Sequence, residues 1–244
     1  MKPFILFVML TTIYTGSDFL KEQQKYPRVR EAIREKSVLI DRKLSGQSLK
    51  KENVFIIIQI LKEEKLLNIY GKTPGNSTYK PVASYDICAS SGKAGPKRSQ
   101  GDYQVPEGFY HIDRFNPVSN YYLSLGINYP NASDKIKTIG KDPGGDIFIH
   151  GSCVTIGCLP MTDEFVKEIY LLAVYARSSG QLKIPVYIFP FKMTAEKMQT
   201  IEKSTDIKPE VIEFWKQLKP GYDAFESLKS EISFTISNDG SYLY

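Results

Sequence analysis

Histidine is nearly absent from this chain: His111 and His150 are the only two in 244 residues. Any reaction that needs an imidazole must therefore use one of them. Cysteine is almost as scarce. Cys88, Cys153 and Cys158 make an odd number, so if the protein is exported, pairing two of them leaves a thiol that needs a reason to exist. A catalytic thiol is such a reason. As a zinc set, Cys153 and Cys158 in a C-x4-C spacing with one separate histidine are a poor match to four ligands in tight pairs, so no metal and no cofactor is expected. There is no zinc-finger spacing and no RNP-like segment, and basic residues are interleaved with acidic ones, so nucleic acid is not an expected partner. Internal repeats and low-complexity tracts are also missing. So is any apolar run comfortable across a bilayer, and no cysteine precedes Cys88 to carry a lipid, so no stable membrane anchor is expected.

What is present is the composition of an ordinary soluble globular chain, 42% hydrophobic and 24% charged. Its length allows one sizeable core. Sixteen tyrosines and thirteen phenylalanines favour β-rich structure. A net charge of +5 suits an encounter with an acidic polymer and equally suits ordinary surface variation. Met1-Lys2, the apolar run from Pro3 to Tyr14 and the small residues Thr15-Gly16-Ser17 read as a signal peptide over 1–17, hence export to a periplasm or cell envelope. A buried N-terminal element is the plainer alternative.

Residues 18–48 carry apolar positions at helical spacing, interrupted near Pro27, and end in a linker-like Ser45-Gly46-Gln47-Ser48. The main domain is placed at 49–244. It opens with a hairpin, Asn53 to Leu61 and Lys65 to Tyr70, followed by a strand from Tyr79 to Cys88. A Gly/Ser/Lys/Pro-rich loop runs from Ala89 to Gln104. Strands are expected at Gly108 to Phe115, Tyr121 to Asn128, Asp146 to His150 and Ile184 to Phe191. Helices are expected at Thr162 to Ser178, from Thr194, and from Pro209 to a stop before Pro220-Gly221, with a last hairpin around Asn238-Asp239-Gly240. This is the α+β class, a mostly-β domain with flanking helices.

Chemistry concentrates in DIFIHGSCVTIGCLPMTD, Asp146 to Asp163. A strand delivers His150 to its end, a short loop follows, and Gly157-Cys158 leads toward a helix. Cysteine catalysis needs a thiolate, which an imidazole supplies by taking the proton or pairing with the charge, and a helix start assists. Gly157 lets a substrate approach the backbone, so the amides of Gly157 and Cys158 are candidates for binding an oxyanion. A lone Cys and His at this spacing is also compatible with a small buried cysteine.

The layout HG…(S/T)xGC resembles the signature of L,D-transpeptidase catalytic domains of the YkuD type. The text IHGSCVTIGCLPMTDEFVKEIY is similar to the ErfK/YafK branch, as are Gly92 to Arg98, Gly101 to Tyr110, Tyr122 to Asn131 and Ile184 to Phe191. The resemblance implies a YkuD-like domain, β-sandwich or barrel-like, with flanking helices. It implies Cys158 as nucleophile, His150 as base, Gly151 as the carbonyl that orients the ring, and Gly157 sharing the oxyanion site. The implied activity is acyl transfer on peptidoglycan stem peptides through a thioester on Cys158. An amidase cut at the diaminopimelate L-centre and a non-catalytic peptidoglycan-binding module are the alternatives. This chain has Ile156-Gly157-Cys158 where many relatives have His-Gly-Cys, which leaves open whether it joins or cuts bonds. Lys97 and Arg98 are candidates to pair with a substrate carboxylate, and Tyr103 and Tyr129 to line the groove; a solvated loop and core packing are the competing roles. His111 is expected to be structural. Cys153 is expected as a buried thiol, with a bond to Cys88 the alternative.

Overall fold

The computed structural model describes residues 16–244. The expected signal peptide lies outside them, apart from its last two residues. The chain runs through α1 (Gly16–Gln23), α2 (Pro27–Ser45), β1 (Phe55–Leu61), β2 (Leu66–Lys72), β3 (Lys80–Asp86), β4 (Gly108–Asn116), β5 (Ser124–Ile127), α3 (Ala132–Lys137), β6 (Phe148–His150), β7 (Leu159–Pro160), α4 (Asp163–Ser178), β8 (Ile184–Phe189), α5 (Ala195–Glu202), α6 (Pro209–Leu228), β9 (Thr235–Ile236) and β10 (Tyr242–Leu243). Eight strands form one mixed sheet in the order β3-β2-β1-β8-β4-β5-β6-β7, and β9 and β10 form a separate hairpin.

β1 explains why the sheet is the spine. Its β-branched run is buried nearly throughout, because both faces are covered. Ile56, Ile58 and Ile60 point into a core shared with α2 and α4. Ile57 and Leu61 point into a second core with Phe109, Phe189 and the apolar side of α6. β1 pairs antiparallel with β2 and parallel with β8. Gln59, the polar exception, faces α6 and donates to Glu226 at 2.8 Å while accepting from Asn68 at 3.1 Å.

Pro27 separates the first two helices by opening α2 at its first turn, where its missing N–H is no loss. Both pack on α4, where Tyr170 donates to Gln23 at 2.6 Å, and Phe19 of α1 also meets Phe115 of β4 edge-on at 4.9 Å. Polar contacts extend the docking, with Lys167 bonded to Glu35 (2.6 Å) and Glu164 (2.9 Å), Lys36 to Glu164 (2.6 Å) and Lys43 to Glu168 (2.6 Å).

Two expectations need correcting, and one helix is not foreseen by the sequence pattern. α6 does not stop before Pro220 but continues to Leu228. Burial of Leu218, Tyr222 and Phe225 outweighs the lost backbone bond, and Gly221 supplies the clearance the crossing needs, since a Cβ there would lie 2.7 Å from Phe109. The short helix α3 has no apolar periodicity, and it forms through a capping box between Asn131 and Asp134. Finally, Cys158 does not lead directly into a helix: β7 intervenes, and α4 starts only at Asp163, capped by Thr162.

Candidate active site around Cys158 and His150

β6 places His150 opposite Ser124 of β5 and, on its other side, beside Pro160 of β7. The parallel β6–β7 register also sets Ile149 against Leu159. Cys158, immediately before Leu159, thus shares the parity of His150 on the neighbouring strand, two positions short of its partner. Sheet register, not the loop alone, sets Cys158 immediately before the strand that pairs with β6.

His150 is only 3% exposed, because the ring of Tyr121 covers it at 4.7 Å between centroids. Its Nδ1 lies 2.6 Å from the carbonyl of Gly151. A carbonyl can only accept, so Nδ1 carries the hydrogen and Nε2 keeps its lone pair. Gly151 is held in turn: its N–H donates to the carbonyls of Tyr121 at 3.0 Å and Leu123 at 3.2 Å. Burial lowers the pKa of His150 below its ordinary value, against the smaller upward pull of the Gly151 carbonyl. Burial thus favours the neutral imidazole.

Cys158 is the one free cysteine among the described residues. Its Sγ contacts the carbonyl of Asp146 at 3.6 Å. Burial pushes the thiol pKa up, with smaller downward pulls from the Phe148 backbone and the Lys97 ammonium. Burial thus favours the neutral form of both groups. Gly157 has φ of +136°, and a Cβ there would sit 3.3 Å from the Gln104 carbonyl, so glycine is required for the turn. Its amide donates to Thr155 Oγ1 at 3.1 Å, and the same hydroxyl donates to the Cys158 carbonyl at 2.8 Å.

Cys158 also lines a cavity of about 460 Å³. Ile87, Val105, Phe191, Ile201 and Trp215 give it apolar walls, and Lys65, Lys93 and Lys197 are among its polar lining. Beneath it lies a network that the sequence did not disclose. Glu107, fully buried, accepts from Lys62 at 2.7 Å and from Trp215 Nε1 at 2.7 Å. Lys62 donates as well to the carbonyls of Gly95 and Val105, both at 2.9 Å. The loop Gly92–Ala94 divides this cavity from a broader one of about 1410 Å³ lined by Arg98, Tyr103, Lys137, Lys141, Lys208 and Phe214.

The expected substrate-binding residues occupy different settings. Lys97 is buried and bonded to Asp102 at 2.7 Å and to the Ser99 carbonyl at 2.8 Å. Arg98 bonds the buried Asp134 at 3.0 Å and lies over the Phe214 ring. Burial nonetheless pushes the Asp134 carboxyl up against the pull of Arg98. Tyr129 is buried and donates to the Pro143 carbonyl at 3.1 Å. Tyr103 is exposed on the rim of the broader cavity. His111 sits on β4, separated from β6 by β5, with its backbone N–H bonded to Asn128 Oδ1 at 2.7 Å.

Cys153 is not a buried thiol. It is exposed and forms a disulfide with Cys88, with the two Cα atoms 5.5 Å apart. The chain beyond β3 runs alongside β7, where Cys88 N–H donates to the Pro160 carbonyl at 3.1 Å, and this brings together residues 65 apart in sequence. The disulfide anchors the loop between His150 and Cys158. Tyr121 and Thr155 are further site residues missed by sequence reasoning; a tyrosine among sixteen and a loop threonine carry no pattern of their own.

Residues 55–188 match the family described as YkuD, the L,D-transpeptidase catalytic domain, and the chain belongs to that family. It is 40% identical over 185 residues to the protein named "Putative L,D-transpeptidase YafK" in Escherichia coli K12, covering 75% of this chain and 71% of that one; the same protein of strain O157:H7 matches equally. Among solved structures, the helical cell shape determining protein Pgp2 from Campylobacter jejuni aligns with a TM-score of 0.45 at 19% identity, covering 81% of this chain and 80% of its own. No helix among the described residues is long and apolar enough to cross a membrane.

Proposed function

We propose that this protein is an exported cysteine acyltransferase acting on peptidoglycan stem peptides, with Cys158 as nucleophile and His150 as base. The observation that carries the reading is the free Cys158 thiol on the wall of a cavity, one strand away from a histidine whose Nδ1 is committed to a carbonyl. Nε2 is then the proton acceptor. It takes the thiol proton as sulfur attacks the carbonyl at the diaminopimelate L-centre. The C–N bond breaks, the imidazolium returns the proton to the leaving amine, and a thioester remains on Cys158. An amine acceptor completes transpeptidation; water completes an amidase or carboxypeptidase reaction. The Cys158 and Gly157 amides are the oxyanion donors, and Gly157 exchanges the Thr155 hydroxyl for the substrate oxygen as negative charge develops.

Gly151 serves as the acceptor that fixes the imidazole tautomer. Lys97 and Arg98 act through the loop they hold, and Tyr103 is the proposed contact on the open side. The Cys88–Cys153 disulfide supports export, since such bonds persist in oxidising compartments. Incubation with defined muropeptides and mass spectrometry of the products tests the reading. Cross-linked or trimmed products, lost in Cys158→Ala, are expected. Undiminished turnover by Cys158→Ala would refute the mechanism, and inert wild-type protein that still binds muropeptides would identify a non-catalytic module.

A further inference from the structure

The segment that covers His150 is itself held from outside the family's matched region. Tyr121 and Tyr122 lie in the turn between β4 and β5, and three features of that turn converge on the imidazole. The Tyr121 ring packs on it. The Tyr121 carbonyl fixes the Gly151 amide, and the Gly151 carbonyl fixes Nδ1. Tyr122 adopts φ of +67°, a left-handed conformation that a tyrosine holds only when its surroundings impose it.

What imposes it is on α2. Arg28 donates through NH1 to the carbonyls of both Ser119 and Tyr122, at either end of the turn, and its guanidinium lies over the Tyr122 ring at 5.5 Å. Lys167 of α4 approaches the same ring at 5.5 Å, and Tyr121 N–H is satisfied by Ser119 Oγ at 3.1 Å. Two main-chain acceptors turned away from the sheet ladder would otherwise lack a partner beneath α2. A single cationic nitrogen, NH1 of Arg28, donates to both in charge-assisted bonds. Arg28 lies before residue 55, where the family match begins. The helical segment is therefore more than an appendage to the core.

We infer that Arg28 is a positioning residue for His150: by clamping the Ser119–Tyr122 turn from α2, it holds the Tyr121 ring and the Gly151 carbonyl that set the orientation and tautomer of the imidazole. The inference rests on the reading of His150 as the base. A loosened turn would leave the fold standing while Nδ1 lost its fixed acceptor, so the expected loss falls on kcat, with KM little changed.

With only two histidines in the chain, ¹⁵N-histidine labelling of the full-length protein gives a spectrum in which each ring is assigned by one variant, His150→Ala identifying its own signals. In wild type, a slowly exchanging Nδ1–H resonance is expected for His150. In Arg28→Ala it should broaden or vanish while the His111 signals stay put, and kcat should fall about 10- to 100-fold. Arg28→Lys, which keeps a cationic donor but not the planar group that lies over the Tyr122 ring, should restore part of both. If Arg28→Ala is unfolded by circular dichroism, Arg28→Gln makes the same comparison with a milder change. A folded Arg28→Ala or Arg28→Gln protein with an unchanged His150 resonance and unchanged kcat overturns the proposal. Wild-type turnover by His150→Ala would overturn the base assignment itself, and with it the catalytic meaning of Arg28; the resonance would show separately whether the clamp exists.

Discussion

The carbonyl of Gly151 stands 2.6 Å from Nδ1 of its own neighbour, His150. A group one residue away thus fixes which ring nitrogen is free to accept a proton. Because burial lowers the His150 pKa, the basic form persists below the ordinary histidine value of 6.5, and the acid limb of kcat/KM should fall at a lower pH than that. Burial raises the Cys158 pKa, so uncatalysed alkylation by iodoacetamide should rise only above the ordinary cysteine range. Rate–pH profiles of both reactions check this; an acid limb above 6.5 would mean that the imidazole is not held as described.

A carbapenem, with its strained amide, should acylate Cys158 one-to-one. Intact-mass spectrometry should show the adduct lost in Cys158→Ala and formed much more slowly in His150→Ala. An adduct indifferent to His150 would contradict the pairing of base and nucleophile, and no adduct would favour an amidase over a transpeptidase.

Thiol titration of the denatured, unreduced protein should give one thiol per chain, rising to three after reduction. Replacing both Cys88 and Cys153 by Ala should cost about 2–4 kcal/mol, a melting shift of about 2–4 °C for each kcal/mol. Calorimetry measures it. Cys158→Ala should leave stability close to wild type, so the two roles of cysteine separate cleanly.

Glu107→Ala should be among the most damaging substitutions for stability. It leaves the Lys62 ammonium without its carboxylate and the Trp215 N–H without an acceptor, at a cost of about 3–5 kcal/mol. Glu107→Gln, which keeps an acceptor oxygen, should cost less. Urea titration at constant m-value distinguishes the two.

The ion pairs between α2 and α4 predict acid sensitivity. Hydrogen bonds from Lys36 and Lys167 hold the Glu164 pKa down to about 2, from an ordinary 4.5. Its contribution is complete above 4.5 and disappears as pH falls through about 2. Melting temperatures across that window should drop less steeply in Lys36→Ala than in wild type, and less steeply in high salt, since Glu164 is exposed. Identical slopes would assign the acid sensitivity to other carboxylates.

Much of this molecule is written locally. The β-branched run of β1, the alternation of β2, the Thr162 cap of α4 and the turn around Asn238-Asp239-Gly240 depend on neighbours within a few residues, so they can be read from the chain. The same holds for His150, Gly151, Gly157 and Cys158, which fall within one strand–loop–strand segment. The continuation of α6 through Pro220 could not be read that way, because packing against Phe109 overrides a local breaker.

Partners distant in sequence were decided by the folded chain alone. Glu107 meets Trp215 across 108 residues, Arg28 meets Ser119 across 91, and Cys88 meets Cys153 across 65. Residue type limits what each can do: a carboxylate accepts, a guanidinium donates, a thiol bonds a thiol. Which acceptor, donor or thiol it reaches depends on how β3 runs past β7 and where α2 docks on α4, and these placements follow from burying both faces of one sheet. Cys158 and His150 lie eight residues apart in the sequence, but which ring nitrogen of His150 is left free is set in space, by the Gly151 carbonyl, whose own amide is held by Tyr121.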